Sequence, residues 1–334
     1  MVSEDAHGWG GGLWAAADLV TPMAIRVAAT LRLADHIAAG TQTSPALAAA
    51  VDADQDALER VLDHLVTAGV LTRAGTAFGL TALGEQLRDD DPAGVRPWLD
   101  LGGAIGRADL CFTELLHTVR TGEPAFPRLF GRPFWDDLSA DAALGASFDA
   151  LMGARLMADA PVVAAAYPWS GLGHVIDVGG GDGSLLIAIL RAHEGLRGTV
   201  IDLPGPIARA EHAIAAADLS DRADTEAISF FEPLPAGAGG YLLSGVIHDW
   251  DDDDAARILQ RCADAAAGTG SVFLVDHVGV HRGTADTEGD LRMLCYVRGR
   301  ERTLDQLRQL AESVGLQINS VTPAGSRSII ELSG

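Results

Sequence analysis

One histidine in the second half of the chain lies between an apolar run and a dense block of carboxylates. His248 follows the segment YLLSGVI and precedes Asp249, Trp250 and the four aspartates 251–254. An imidazole here can act as a general base, ligate a metal ion, or form the polar end of a buried strand. The aspartates are explained more simply, because carboxylates that open the helix AARILQRC cap its free amides and complement its dipole. We therefore predict a helix start there and no metal site.

A glycine-rich loop is the second candidate for chemistry. The run DVGGGDG, residues 177–183, lies between the predicted strand HVIDV and the predicted helix SLLIAIL. Glycines allow a sharp turn and a close approach to a ligand at the positive end of a helix. The dinucleotide fingerprint needs glycine where this chain has Ser184. The next strand ends at Asp202, where a carboxylate accepts hydrogen bonds from ribose hydroxyls in open α/β sheets. The loop and Asp202 predict a nucleoside site.

The elements after residue 174 must position both candidates. Strands and helices alternate there, with strands predicted at HVIDV, GTVIDL, GYLLSGVI, SVFLVDHV and SIIEL. Such alternation is typical of a mostly parallel sheet with helices on both faces. The fold class is therefore α/β, and residues 167–334 are predicted to form a Rossmann-like domain.

The N-terminal part has a different texture. Residues 13–95 contain short helical patterns and a small hairpin, LTRAGTAFGL, which together are typical of a winged helix. Between Val20 and Asp91 there are only five arginines against ten acids, which argues against DNA as the partner. We predict that residues 1–95 pack against protein, most simply a second subunit, and that the helical residues 96–166 link the two domains.

Composition excludes several classes of function. The formal net charge is −22, which disfavours nucleic acid and anionic membranes as partners. The chain has no lysine, so Schiff-base and P-loop chemistry are absent. Its 3 cysteines form no CxxC pair, and the start MVSEDAHGWGGG has no signal-peptide pattern. A cytoplasmic protein is predicted.

The ordered set of motifs resembles a known family. DVGGGDGSLL, VIDLPG, SFFEPLP, HDWDDDDAARIL and GRERTLDQL are similar to segments of the S-adenosylmethionine-dependent O-methyltransferases, which include plant caffeate-type and actinobacterial polyketide-tailoring enzymes. The segments TPMAIRVAATLRLADHIAAG and PLPAGAGGYLLSGVIHDWDD most resemble members that methylate naphthoates in enediyne biosynthesis. The resemblance covers essentially the whole chain. It implies a seven-stranded methyltransferase domain preceded by a winged-helix-like dimerisation domain, and hence a homodimer.

The resemblance also implies a role for particular residues in binding S-adenosylmethionine, whose product is S-adenosylhomocysteine. Gly179 and Gly181 would carry its methionine part, and Asp202 its ribose. Ser229 and Phe230 fall at the adenine positions, although Ser229 departs from the acid that is common there. Ser244 matches a cofactor-facing position that is lysine in the plant enzymes.

His248 matches the general base of the family, and Asp276 and Glu301 match the two acids that flank it. Methyl transfer is an in-line displacement that needs no metal ion. Full proton transfer from a phenol to an ordinary histidine is uphill by about 5 kcal/mol, so proton loss concerted with attack is favoured. A carboxylate on the other ring nitrogen would fix the tautomer and stabilise the imidazolium.

The acceptor is predicted to be a small aromatic phenol of naphthoate or polyketide type. Phe148 and Met152 match positions that line the acceptor pocket in the family, and Arg155, one turn further, is a candidate partner for an acceptor carboxylate. Trp14 occupies a position where the naphthoate enzymes are expected to have arginine, so the clamp for a carboxylate differs. Two alternatives stay open: a relative with the same fold that hydroxylates an aromatic polyketide, and a winged-helix regulator that senses a nucleoside.

Overall fold

The structure, a computed structural model, describes residues 12–268, 270–278 and 286–334. The chain divides into two compact units, residues 1–107 and residues 108–334. Among the described residues, no helix has the length and apolar character that a membrane span requires.

The first unit is helical with one small hairpin. Its core is formed by buried side chains that recur at helical spacing, such as Leu58, Leu62 and Leu65, and by Phe78 of the hairpin. Its elements are α1 (Leu13–Ala17), α2 (Val20–Thr30), α3 (Leu33–Ala38), α4 (Ser44–Ala50), α5 (Gln55–Thr67), β1 (Leu71–Ala74), β2 (Ala77–Leu80), α6 (Ala82–Glu85) and α7 (Arg96–Leu99), with α8 (Ala104–Ala108) at the boundary of the units. The antiparallel pair β1–β2 after helices confirms the predicted winged-helix pattern.

The second unit opens with helices and continues as an alternation of strands and helices. The opening helices are α9 (Leu115–Thr121), α10 (Phe126–Phe130), α11 (Phe134–Ala140) and the long α12 (Ala142–Ala166), preceded by a 3-10 helix at Asp109–Glu114. The alternating part, which starts after a second 3-10 helix at Trp169–Leu172, comprises β3 (His174–Val178), α13 (Ser184–Ala192), β4 (Arg197–Asp202), α14 (Pro204–Ala216), β5 (Ala223–Ala227), β6 (Gly240–Ser244), α15 (Asp252–Ala266), β7 (Ser271–Asp276), α16 (Thr287–Tyr296), α17 (Leu304–Ser313), β8 (Gln317–Ala324) and β9 (Arg327–Ser333).

Seven strands form one sheet in the order β5-β4-β3-β6-β7-β9-β8. All neighbours are parallel except at β9, which runs antiparallel to both β7 and β8. Successive residues of a strand face opposite sides, so Ile176 and Val178 join one core with α15 and α17, while Val175 joins the other with α13 and α14. The predicted α/β fold with a mostly parallel seven-stranded sheet is confirmed.

Two strands were not located from the sequence. β5 is an edge strand whose sequence ADTEA is mostly polar and exposed, and β8 is the opposite edge, where exposed and half-buried residues alternate. Edge strands bury only part of one face, so their apolar signal is weak. Backbone pairing with β4 and β9, rather than composition, places them in the sheet.

The strand before the key histidine ends earlier than the apolar pattern predicted. β6 stops at Ser244, and Gly245 has a φ of 63°, which turns the chain away from the extended direction. Val246 and Ile247 are buried beyond the strand, which accounts for the apolar run continuing to Ile247. His248 therefore lies on a short 3-10 helix, Ile247–Asp249, and not at the end of a strand.

The aspartate block begins a helix as predicted. Asp251 is the N-cap of α15, and its side chain accepts a hydrogen bond from the amide of Asp254 at 3.0 Å.

Candidate active site

The glycine loop follows β3 and leads into α13. Gly179, Gly181 and Gly183 have φ values of 72°, 60° and 78°, a region that side chains rarely adopt. A Cβ atom at Gly179 would lie 2.9 Å from a methyl carbon of Val246, whereas one at Gly181 would meet nothing within 4 Å. Position 179 is thus reserved for glycine by packing and conformation, and position 181 by conformation alone. The loop presents bare backbone beside the start of a helix.

Two buried polar groups beside this loop lack a partner among the residues that the structure describes. The two carboxylate oxygens of Asp177 make no hydrogen bond to any described residue, and the same is true of the Ser244 hydroxyl. Burial raises the pKa of Asp177 to about 7, and the nearby carboxylates of Asp202 and Asp182 add to the rise. Unpaired buried polar groups are costly, so their position at the carboxyl ends of β3 and β6 marks a place for a polar ligand. These residues fit a cofactor with a cationic amino-acid part.

Replacing Asp177 with asparagine is expected to stabilise the ligand-free protein in a pH-dependent way. Folding raises the pKa of Asp177, so the protonated group contributes fully to the free energy of unfolding only below the ordinary aspartate pKa. This contribution is lost as pH rises through about 7. The rise corresponds to roughly 4 kcal/mol, and the variant should regain part of it, about 1–3 kcal/mol at pH 8 and little at pH 4.5. Denaturant unfolding at the two pH values measures this. The exposed Asp221→Asn change is the control, and an equal effect of Asp177→Asn at both pH values would contradict the assignment.

The predicted ribose and adenine residues lie at the next strand ends. Asp202 ends β4 and accepts hydrogen bonds from the amides of Gly181, at 2.9 Å, and Leu203, at 2.6 Å. Burial raises its pKa although these amides oppose the rise. Phe230 follows β5, and its ring edge lies 3.4 Å from the Cβ position at Gly179. Ser229 accepts a hydrogen bond from the amide of Phe231 at 3.3 Å. Four strand ends thus converge on the glycine loop, as in open α/β sheets generally.

His248 lies among carboxylates at the same edge of the sheet. Its Nδ1 is 2.9 Å from Oε1 of Glu301 and 3.9 Å from Oδ1 of Asp276, and its Nε2 is 3.5 Å from Oδ1 of Asp249. About 22% of the histidine side chain stays exposed. The ring can therefore be reached by a small molecule while Glu301 holds the opposite nitrogen. The structure brings His248, Asp276 and Glu301 together from three separate segments.

The charges of this cluster act strongly on the imidazole. Burial alone would lower the pKa of His248, but the carboxylates of Asp249, Asp276 and Glu301 outweigh burial and raise that pKa to about 10. Burial raises the pKa of Asp249 to about 7 and also raises the pKa of Asp276. The surrounding carboxylates thus favour the protonated form of the ring in the ligand-free protein.

The predicted acceptor residues fall on α12, apart from one. Phe148 packs edge-on against Trp135 and Phe134, with ring centroids 5.5 and 5.8 Å away. The half-buried Met152 precedes Gly153, whose Cβ position is 3.0 Å from a carboxylate oxygen of Asp182 in the glycine loop. Helix α12 therefore passes beside the loop.

The other two acceptor candidates differ from each other in placement. Arg155 is exposed, and its Nη2 lies 3.3 Å from Nε2 of His277, the residue that follows β7. Trp14 lies in α1 of the first unit, with about half of its surface exposed.

Sequence reasoning missed several residues around the site. Tyr296 of α16 stacks on Phe134 at 5.8 Å and donates its hydroxyl proton to Asp109. Asp249 is a third carboxylate at the imidazole, a role that the sequence analysis does not predict. Arg302 is almost wholly buried beside the histidine turn. Asp249 directly follows His248 in the chain, so this adjacency was the signal that could have found it, whereas only the tertiary fold brings Tyr296 and Arg302 there from distant segments.

Comparison with known proteins decides the family. A model of the O-methyltransferase domain matches residues 112–317, and a model of the O-methyltransferase dimerisation domain matches residues 14–89. The chain belongs to the O-methyltransferase family. This O-methyltransferase is 54% identical over 322 residues to the 2,7-dihydroxy-5-methyl-1-naphthoate 7-O-methyltransferase of Streptomyces carzinostaticus, with 96% of this chain and 97% of that protein covered.

A second relative and a solved structure also bear on the reaction. The O-methyltransferase is 47% identical over 321 residues to the aclacinomycin 10-hydroxylase RdmB of Streptomyces purpurascens, with 93% of this chain and 85% of that protein covered. Its structure matches the crystal structure of the O-methyltransferase NcsB1 from neocarzinostatin biosynthesis, in complex with S-adenosyl-L-homocysteine and 1,4-dihydroxy-2-naphthoic acid. That match has a TM-score of 0.94 at 52% identity and covers 99% and 100% of the two chains. The predicted class, an S-adenosylmethionine-dependent O-methyltransferase with an N-terminal dimerisation domain, is confirmed.

Proposed function

We propose that this O-methyltransferase methylates a phenolic hydroxyl of a small naphthoate- or polyketide-type aromatic molecule, with His248 as the general base. The observation that carries the proposal is the pairing of His248 with Glu301 at 2.9 Å next to the glycine loop. Val246, two residues before the histidine, packs against the Cβ position of Gly179 at 2.9 Å. The proposed base His248 and the glycine loop are therefore adjacent, as proton removal coupled to methyl transfer requires.

The residues that would hold the cofactor are those at the strand ends. The backbone of Gly179 and Gly181 and the unpaired carboxylate of Asp177 suit a zwitterionic methionine part, and Asp202 suits ribose hydroxyls. Phe230 offers an apolar face for adenine, Ser229 is the proposed polar contact beside it, and Ser244 has a buried hydroxyl free for another part of the cofactor. When bound, S-adenosylmethionine supplies an electrophilic methyl group and a positive sulfur, and positive charge lowers the pKa of a nearby phenol or imidazolium.

His248 is suited to take the hydroxyl proton. The surrounding carboxylates raise the pKa of His248 toward that of a phenol, so proton transfer from the phenol costs less than it would with an ordinary histidine. The same rise in pKa favours the protonated ring, which must lose its proton before it can act as a base. Glu301 at Nδ1 leaves Nε2 as the nitrogen that faces the acceptor once the ring is neutral. Asp276 stabilises the imidazolium from 3.9 Å.

Aromatic side chains support an aromatic acceptor. The half-buried Phe148 and Trp135 pack on the buried Phe134 and Tyr296 as one connected group of rings. The exposed parts of Phe148 and Trp135 offer apolar surface that suits a fused ring system. Met152 and Arg155 follow Phe148 along α12, with Arg155 as the proposed partner of an acceptor carboxylate. The name of one relative contains a naphthoate, and a similar solved structure binds one. Trp14 stays a predicted acceptor contact.

Assembly and location extend the same proposal. The dimerisation domain at residues 14–89 supports a homodimer formed through the first unit. The cytoplasmic location and the absence of nucleic-acid binding stay predictions from the sequence.

Incubation with methyl-labelled S-adenosylmethionine and a panel of aromatic acceptors tests the proposed reaction. The panel should contain hydroxynaphthoates, the matching naphthols without a carboxylate, and aminonaphthalenes. Mass spectrometry is expected to show one labelled methyl group on a hydroxyl oxygen, with hydroxynaphthoates preferred and no change when a chelator is added. A hydroxylated product without label would instead match the relative that is named as a hydroxylase, and methylation confined to the amines would exclude a phenolic acceptor.

A further inference from the structure

The pairing of His248 with Glu301 depends on two loops that are far apart in the sequence. His248 lies on the turn after β6, and Glu301 lies between α16 and α17, 53 residues later. Neither residue lies inside a strand or an α-helix that would hold it by regular backbone hydrogen bonds. A hydrogen bond of 2.9 Å between two turns requires that something else fixes one turn against the other.

Arg302 supplies the largest set of contacts between these turns. Its Nη1 donates to the carbonyl of Ile247 at 2.8 Å, and its Nη2 donates to the carbonyl of Trp250 at 2.9 Å. These two carbonyls lie on either side of His248. Its Nε and Nη2 also donate to Oδ1 of Asp252, at 3.0 and 2.7 Å, in the first turn of α15. Only 2% of the arginine side chain is exposed.

Backbone contacts close the same interface. The amide of Arg300 donates to the carbonyl of His248 at 2.7 Å. Gly299 lies so close that a Cβ atom there would be 2.2 Å from that carbonyl oxygen. The turn that carries Glu301 is thus packed directly on the turn that carries His248, with the guanidinium of Arg302 as the polar clamp between them.

Charge alone does not explain an arginine at this position. A guanidinium offers five donors in a planar fork and can serve two carbonyls and a carboxylate at once, whereas a lysine ammonium is a single point. A buried cation with fewer acceptors would lose more by desolvation than it gains. The three acceptors on the two flanks of His248 are so placed that a planar, forked side chain is needed to bind all of them.

We infer that Arg302 is a positioning residue, which holds Glu301 against His248 by clamping their two turns together. This inference rests on the proposed function, in which His248 is the base and Glu301 its partner. Loss of the clamp should lengthen the bond between His248 and Glu301 without touching the cofactor loop. Misplacement of a catalytic group by about 1 Å costs on the order of 100-fold in rate.

The matched variants are Arg302→Met and Arg300→Gln. Arg300 lies on the same turn, but its side chain is half exposed, and among the described residues it pairs with Asp252 through Nη1 at 3.5 Å. Arg302→Met is expected to lower kcat roughly 10- to 100-fold, with the cofactor dissociation constant little changed. Its pH–rate profile should shift to lower pH, since a weaker bond to Glu301 lowers the pKa of His248. Arg300→Gln should leave both unchanged. Arg302→Lys keeps the positive charge but loses the planar, forked donors of the guanidinium, so its pH–rate profile should shift in the same direction. This variant replaces Arg302→Met in the test if the methionine variant does not fold.

A double-mutant cycle separates positioning from general stabilisation. If Arg302 acts through Glu301, Glu301→Gln combined with Arg302→Met should be no slower than Glu301→Gln alone, within about two-fold. Additive losses would overturn the inference.

Proton NMR of the cofactor-free protein gives a readout that does not depend on activity. The Nδ1 proton of His248 should resonate far downfield in the wild type and in Arg300→Gln, and move upfield in Arg302→Met or Arg302→Lys. An unmoved resonance would refute the clamp. If no phenol in the panel is methylated but the resonance moves as expected, the proposed function falls and the clamp stands.

Discussion

Replacing His248 with alanine is expected to lower kcat by roughly 100- to 10,000-fold, the range found when a positioned general base is lost. Glu301 holds Nδ1 of the ring at 2.9 Å and so leaves Nε2 to take a proton. Among the described residues, no other group at these strand ends combines a basic nitrogen with such a carboxylate partner. Cofactor affinity should change little, because the glycine loop, Asp177 and Asp202 are untouched. Initial rates with labelled S-adenosylmethionine and isothermal titration with S-adenosylhomocysteine measure the two quantities.

The matched control for this variant is His212→Ala. His212 is exposed on α14, so its loss removes an imidazole without altering the site. Its kcat should equal that of the wild type. If His248→Ala kept full turnover at saturating acceptor, the imidazole would have no part in proton removal. If it lost cofactor binding as well, His248 would be a binding residue and not a base.

Replacing Glu301 with glutamine is expected to lower kcat by about 10- to 100-fold and to move the pH–rate profile toward lower pH. Glu301 raises the pKa of His248 through its hydrogen bond and its charge. An uncharged amide removes the charge, so the pKa of His248 should fall from about 10, and the neutral base should appear at lower pH. The rate falls nevertheless, because the imidazolium formed in the reaction is less stabilised and the tautomer less well fixed.

Full pH–rate profiles of wild type and variant, between pH 6 and pH 10, test this expectation. Glu288→Gln is the control, since Glu288 is an exposed acid of α16 that pairs only with Arg292 on the surface, as far as the described residues show. Its profile should match that of the wild type. A profile of Glu301→Gln that moves toward higher pH would show that the carboxylate does not govern the proton affinity of His248.

The sequence was sufficient for features that local chemistry dictates. Glycines at 179 and 181, an acid at the end of β4 and an aspartate cap on α15 each follow from what a backbone turn, a strand end or a helix start requires of one residue. Alternation of strands and helices predicted the parallel sheet, because burial on both faces makes central strands continuously apolar. The weakly apolar edge strands β5 and β8 were not located.

Only the tertiary structure decided which side chains meet. Arg302 reaches the histidine turn because two turns from distant segments pack together, and no spacing in the sequence encodes that contact. Asp249 directly follows His248 in the chain, but only the folded 3-10 turn places its carboxylate 3.5 Å from the ring. The same holds for the pKa of His248, since a charge cluster depends on distances through space and on the exclusion of water. Residue type and spacing thus determined what each group can do, whereas folding decided which of them act on the same proton.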